Sequence, residues 1–185
     1  MVKRNACVFI SGTGSNLKVL IKNSREYNFP VNINCVISSS KKAKGLDFAR
    51  IYGIPYYILN SNDQLNLELI LQKLKMKNIS LVCLAGYMKI LKKKFIKRFN
   101  GIIINIHPSL LPKHKGLDTF KKILQSNEKI SGCTVHYVNE KLDSGKIILQ
   151  KKIQVVHKET EKTLKIKIQK AEHKAYSEAV ISLFR

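Results

Sequence analysis

Asn105 and His107 end an apolar run, "GIIINI" over 101–106, and open the corner "NIHPSLLPKHKG" over 105–116. Two apart on a strand end, their side chains share one face. Pro108 cannot continue a sheet's hydrogen bonding and fixes the exit. A carboxamide beside an imidazole is what a tetrahedral carbonyl intermediate requires. One group holds the oxyanion and the other moves or stabilises a proton. An isolated N-x-H is better explained as a turn cap beside a backbone-bonded histidine. The rigid corner shifts the balance towards chemistry.

Asp143 is one of only four aspartates and sits in "KLDSGK", where turn chemistry alone accounts for an acid. The functional reading folds this turn over the strand ends and sets the carboxylate beside His107. There it raises the imidazole pKa and takes part in removing a proton from an attacking amine. Distance along the chain gives that contact no support. A third feature, "SGTGSN" over 11–16, has glycines that let backbone approach a ligand, and it opens a helix with unpaired N–H groups. It reads equally as a phosphate seat or as a plain turn capped by Ser15 or Asn16. It is neither GxGxxG nor a P-loop, which argues against NAD and ATP.

The elements that must position these groups follow from periodicity. Continuous apolar runs predict buried strands at 5–11, 31–38, 54–59, 79–86 and 101–106. Helical spacing marks "SNLKVLIKNS", 43–53 closed by Gly53, 62–78 with Leu65, Leu69, Leu74 and Met76 near its apolar face, and "LKKKFIKRF". Such alternation predicts a single α/β domain over 1–185, a mostly parallel, Rossmann-like open sheet with helices on both faces. After residue 130 the rhythm changes to two long strands around "EKLDSGK", an antiparallel hairpin with Gly145 in its turn. A long C-terminal helix follows, with Thr160 as its cap. In such sheets ligands bind beyond the carboxyl ends of the strands, where "SGTGSN", "AGYMKI" and "NIHPSLLPKHKG" all fall.

With 185 residues the chain can bury a real core, and no apolar run approaches a membrane span. The basic start "MVKRNACVFISGTGSN" leads into too short an apolar patch for a signal peptide. Cys7, Cys35, Cys83 and Cys133 lie scattered in strand-like stretches without zinc spacing, as buried, reduced thiols do. A cytoplasmic protein is expected. The net charge of +22 is almost all lysine, with five arginines in the chain. Nucleic-acid readers lean on arginine, and abundant Lys, Ile and Asn match AT-biased codon usage. The composition therefore argues for solvated faces over nucleic-acid binding, while the charge still draws anionic small molecules.

Taken together, "ISGTGSNL", "LVCLAGYMKIL", "INIHPSLLPKHKGL", "GCTVHYVNEKLDSGKIILQ" and "QKAEHKAY" resemble the formyltransferase superfamily that uses 10-formyltetrahydrofolate, in its order and over nearly the whole chain. The "GSN" turn is similar to the branch that acts on 5-phosphoribosylglycinamide (GAR) in de novo purine biosynthesis. The resemblance implies formyl transfer from 10-formyltetrahydrofolate, as co-substrate, to the GAR primary amine, with no metal. It implies that Gly14, Ser15 and Asn16 hold the ribose phosphate and that Gln169, Lys170, Ala171 and Glu172 contact GAR. Met88, Lys89, Ile90 and Leu91 would line the folate pocket with Asn105 and with Asn139, Glu140, Lys141, Leu142 and Asp143. Asn105, His107 and Asp143 would be the catalytic trio, in a monomer or weak homodimer. Lys115 stands where the family usually has proline, Asn62 where relatives often place an arginine, and the chain ends at Arg185, before the tail of many relatives.

The same resemblance admits formyltetrahydrofolate hydrolase and methionyl-tRNA formyltransferase. The first usually carries an extra amino-terminal domain and the second an extra carboxy-terminal one. A basic RNA-binding module is the non-enzymatic alternative. The absence of interleaved aromatics and arginines counts against it.

Overall fold

The computed structural model describes residues 2–59 and 63–184; of residues 63–66 only the backbone is described. In chain order the elements are β1 (Arg4–Ile10), α1 (Ser15–Ser24), β2 (Val31–Ser38), α2 (Gly45–Ile51), β3 (Tyr56–Ile58), α3 (Asp63–Met76), β4 (Ile79–Leu84), α4 (Lys93–Arg98), β5 (Ile102–His107), α5 (Thr119–Gln125), β6 (Ile130–Tyr137), β7 (Ile147–Gln154) and α6 (Glu161–Ser182). The seven strands follow the order β3-β2-β1-β4-β5-β6-β7 in one sheet. By compactness the chain divides into two units, one running to Ile104 and including Phe184, the other Asn105–Leu183.

In the first unit, β1 pairs in parallel with β2 and with β4, and β2 with β3. A central parallel strand is covered on both faces, so it must be apolar without alternation. "ACVFI" of β1 is fully buried for that reason. Burying each Leu, Ile or Phe here stabilises the unit by roughly 1.5–3 kcal/mol. α1 turns Leu17, Leu20 and Ile21 inward, the i, i+3, i+4 stripe of an amphipathic helix. Gly53, at φ +66°, follows the α2 C-cap, and the amides of Gly53 and Ile54 return to the Arg50 and Ala49 carbonyls.

The apolar face of α3 differs from expectation. Among its described side chains Leu67, Ile70 and Leu74 are buried, while Leu69 is 45% and Met76 76% exposed. Leu74 is buried as expected, but Leu69 and Met76 are not, because a Leu-rich helix offers two overlapping i, i+3/i+4 sets. The Leu65 side chain lies outside the described residues.

In the second unit, β6 and β7 form the expected antiparallel hairpin. β6 is buried nearly throughout, whereas β7 alternates between exposed and half-buried positions. α6 packs on both strands. Its Thr160 cap is formed as expected: Thr160 Oγ1 accepts from the Thr163 amide, and the Thr160 amide donates to Thr163 Oγ1. Gly145 is required by close approach, since a Cβ there would sit 1.6 Å from the Tyr137 carbonyl oxygen. α5 was not expected. It is a seven-residue helix whose N-cap, Asp118, has φ +56° and makes no side-chain cap bond, so neither length nor capping signalled it.

Candidate active site

The corner after β5 is held by its neighbours. Thr134 Oγ1, buried in β6, donates to the Ser109 carbonyl at 2.6 Å and accepts from the Leu111 amide at 3.0 Å. Gln150 Nε2 of β7 donates to the Leu111 carbonyl and to Thr134 Oγ1, each at 2.9 Å. The Leu111–Pro112 peptide is cis. Ser109 Oγ closes the turn by donating to the Lys113 carbonyl at 2.6 Å. The "HPSLLP" segment is thus rigid because β6 and β7 satisfy its backbone.

On that frame His107 and Asp143 meet. Both are buried, with Nδ1 of the ring 3.3 Å from Asp143 Oδ2. The Gly116 amide donates to the same Oδ2 at 2.9 Å. His107 Nε2 lies 2.8 Å from the His114 carbonyl oxygen. A carbonyl only accepts, so Nε2 carries the proton. Both ring nitrogens then face acceptors, and the doubly protonated ring satisfies both at once.

Two residues that the sequence did not mark complete the cluster. His136, buried in β6, donates from Nδ1 to the Tyr137 carbonyl at 2.8 Å, and its Nε2 lies 3.3 Å from Asn105 Nδ2 and 3.7 Å from Asp143 Oδ1. Asn105 Nδ2 also lies 3.5 Å from Asp143 Oδ1. The Asn105 amide is therefore aimed between His136 and Asp143. A histidine among the buried residues of "GCTVHY" was the available signal. The other is His114, seven residues after His107 in the corner itself.

Asp143 raises the His107 pKa as expected, but it does not set the sign of the shift. Burial pushes the imidazole down further than Asp143 and the His114 carbonyl push it up, and His136 and Lys122 add to the lowering, so His107 titrates below its ordinary value. For Asp143, burial pushes the carboxyl up, but His136, the Gly116 amide and His107 outweigh it and hold it below the usual carboxylate value.

The remaining expected site residues of this unit are distributed as follows. Asn139, Glu140, Lys141 and Leu142 are exposed, with the Lys141 amide donating to Asn139 Oδ1 at 2.9 Å. On α6, Gln169, Ala171 and Glu172 are half-buried and Lys170 is exposed. Burial and the Glu172 charge together push the Cys133 thiol up to about 12, which places Glu172 within electrostatic reach of β6. Lys115, in place of the family proline, donates from Nζ to Ser144 Oγ at 2.7 Å.

The first unit carries the "SGTGSN" turn. Gly14, at φ +73°, is the α1 N-cap, so Ser15 and Asn16 stand as the first two residues of the helix and not at the expected cap position. A Cβ on Gly14 would lie 2.5 Å from Gly45 Cα, whereas Gly12 has open space. The Gly45 amide donates to the Gly12 carbonyl at 3.0 Å. Ser11 ties this turn to the exit of β4: its Oγ accepts from the Met88 amide at 2.8 Å and its amide donates to the Gly86 carbonyl at 3.2 Å. Met88 and Ile90 expose most of their apolar side chains, at 68% and 77%; Lys89 is exposed and Leu91 half-buried. Asn62 lies outside the described residues. Among the described residues, no group of three or more His, Cys, Asp or Glu could hold a metal ion, and no helix is long and apolar enough to cross a membrane. Cys7, Cys35, Cys83 and Cys133 form no disulfide and are all buried.

Residues 4–180 match the formyl transferase family model. The chain is 40% identical over 185 residues to the human trifunctional purine biosynthetic protein adenosine-3, covering 96% of this chain and only 18% of that protein. It is 39% identical over 177 residues to phosphoribosylglycinamide formyltransferase of Haemophilus influenzae, covering 94% of this chain and 84% of that one. The crystal structure of phosphoribosylglycinamide formyltransferase from Anaplasma phagocytophilum superposes with a TM-score of 0.92 at 41% identity, over 98% of this chain and 87% of that one. With its strand order, its hairpin and its N-x-H corner, the chain belongs to the formyl transferase family.

Proposed function

We propose that this chain transfers a formyl group from 10-formyltetrahydrofolate to the primary amine of 5-phosphoribosylglycinamide, in purine biosynthesis. The contact of Asp143 with His107, beside the Asn105 amide, carries the reading. The amine nitrogen attacks the formyl carbon, and a C–N bond forms as the carbonyl π pair moves to oxygen. Asn105 and His107 meet that oxyanion. The Nδ1 contact at 3.3 Å is longer than the Nε2 contact at 2.8 Å, so Nδ1 is the nitrogen able to trade its partner for the substrate oxygen. The developing negative charge itself favours the imidazolium that burial disfavours. Asp143, held as a carboxylate, takes the ammonium proton through water. The oxyanion then collapses and the C–N10 bond breaks as that same proton passes on to the folate nitrogen, which leaves as a neutral amine and returns Asp143 to its carboxylate.

Gly14, Ser15 and Asn16 are assigned to the ribose phosphate. The absence of a side chain at Gly14 and its left-handed backbone leave main-chain amides at the α1 N-terminus to do so. Gln169 to Glu172 are assigned to the rest of GAR. Met88 to Leu91 and Asn139 to Asp143 are assigned to folate, and the exposed apolar surface of Met88 and Ile90 suits a pteridine. The charge of +22 favours approach of both anionic substrates. Residues 1–185 would serve as one formyltransferase domain in the cytoplasm, as a monomer or weak homodimer.

Mixing the protein with 10-formyltetrahydrofolate, with and without GAR, tests the reading. Consumption of the folate only when GAR is present, with formylated GAR as product, is expected. Equal consumption without GAR would replace it with a hydrolase.

A further inference from the structure

We propose that Glu128, acting through His114, is a positioning residue for His107. This rests on the assignment of His107 to catalysis above. His114 adopts φ +53°, a left-handed backbone that strains any residue with a Cβ. In that conformation its carbonyl oxygen points at His107 Nε2, 2.8 Å away. The imidazole of His114 is held by Glu128 Oε1 at 3.2 Å, and Lys113 Nζ lies 3.2 Å from the same oxygen. One half-buried carboxylate thus grips two consecutive side chains of the loop, on either side of the peptide group that joins them. Lys113 and His114 together outweigh the burial that pushes the Glu128 carboxyl up, so it stays ionised.

The consequence reaches the reacting ring. The His114 carbonyl holds the proton on Nε2 and turns Nδ1 towards Asp143. Two residues on, the Gly116 amide steadies the Asp143 oxygen that Nδ1 faces. Loosening the grip of Glu128 lets residue 114 relax out of its left-handed conformation and removes an acceptor that favours the His107 cation. The other groups bearing on that ring, Asp143, His136 and Lys122, are left in place.

The experiment compares Glu128→Ala, His114→Ala and His114→Gly. Glu128→Ala and His114→Ala are each expected to lower kcat about tenfold, with KM for both substrates changing less than about twofold. His114→Gly should keep much more activity than His114→Ala, because glycine takes the left-handed backbone without a side-chain anchor. Glu128→Ala should add little on top of it. Imidazole NMR of the protein without substrate should show His107 titrating at lower pH in Glu128→Ala than in the parent chain. Should Glu128→Ala not fold, Glu128→Gln carries the same titration test. An unmoved His107 titration overturns the proposal, even if rate or Tm falls, because a purely structural anchor leaves it unchanged. Equal activity of the His114→Ala and His114→Gly variants does the same. A chain that does not formylate GAR would sink the functional reading while leaving this titration legible.

Discussion

A single oxygen, Asp143 Oδ2, receives the Gly116 amide at 2.9 Å and faces His107 Nδ1 at 3.3 Å. The acid is therefore oriented by backbone from the loop after β5 as much as by the ring it serves. Burial would neutralise both partners. The amide and His136 keep the carboxylate charged, and that charge is the largest influence opposing the fall of the His107 pKa.

Asp143→Asn should move the His107 titration to lower pH still, read by imidazole NMR. A titration unchanged from the parent would mean burial alone sets it. Stability follows from the same shifts. His107 titrates below its ordinary 6.5 in the folded chain, so on acidification the unfolded chain takes up that proton first. Stability is lost as pH falls through 6.5 towards the folded pKa, and Asp143 adds a loss below its ordinary 3.8. His107→Gln should flatten the first part of that decline in a Tm–pH series.

Asn105→Ala and His107→Ala should each lower kcat by roughly 10²–10³, the usual cost of an oxyanion donor. His107 is buried against Asp143 and the His114 carbonyl, so its truncation should also lower Tm, whereas that of half-buried Asn105 should lower it less. Steady-state rates beside melting curves separate the two effects. Near-normal turnover in either variant would remove that residue from the trio.

Much of this arrangement could be read along the chain because it is local. The parallel strands announced themselves as unbroken apolar runs, Gly53 and Thr160 fell where a helix end and start require them, and Asn105 and His107 share a face by strand periodicity alone. What could not be read is non-local. The contact of Asp143 with His107 depends on a hairpin returning to a distant corner, and the partners of His136 depend on β6 lying beside β5. The sign of the His107 shift depends on how much protein covers the ring, which no spacing encodes. α5 escaped because its seven residues are too few to show a period and its Asp118 cap is left-handed.

His136 offers a test of whether Asn105 must be aimed. With Nδ1 committed to the Tyr137 carbonyl, Nε2 is the ring atom that faces the Asn105 amide, 3.3 Å away. His136→Phe fills similar volume but gives Asn105 no ring nitrogen, so the amide is free to rotate. Misorientation of a reacting group can cost up to roughly 10²-fold. The loss should appear in kcat, with a smaller change in KM. A variant as fast as the parent would show that Asp143 Oδ1, at 3.5 Å, orients Asn105 unaided.

Gly145 joins the hairpin geometry to the chemistry most directly. A Cβ there would sit 1.6 Å from the Tyr137 carbonyl oxygen, and no rotamer change relieves a clash of Cβ with backbone. That oxygen accepts from His136 Nδ1, and the Tyr137 amide pairs with the Lys146 carbonyl at 2.9 Å. Gly145→Ala must therefore push the start of β7 away from β6, two residues beyond Asp143. Overpacking of this kind costs about 1–3 kcal/mol, a Tm loss on the order of 5–10 °C for a chain of this size. Activity should fall by more than that destabilisation accounts for, even at temperatures where the variant is fully folded, because both Asp143 and His136 lose their registration with His107 and Asn105. A variant that melts early yet turns over normally when cold would show that the tip of the hairpin tolerates displacement.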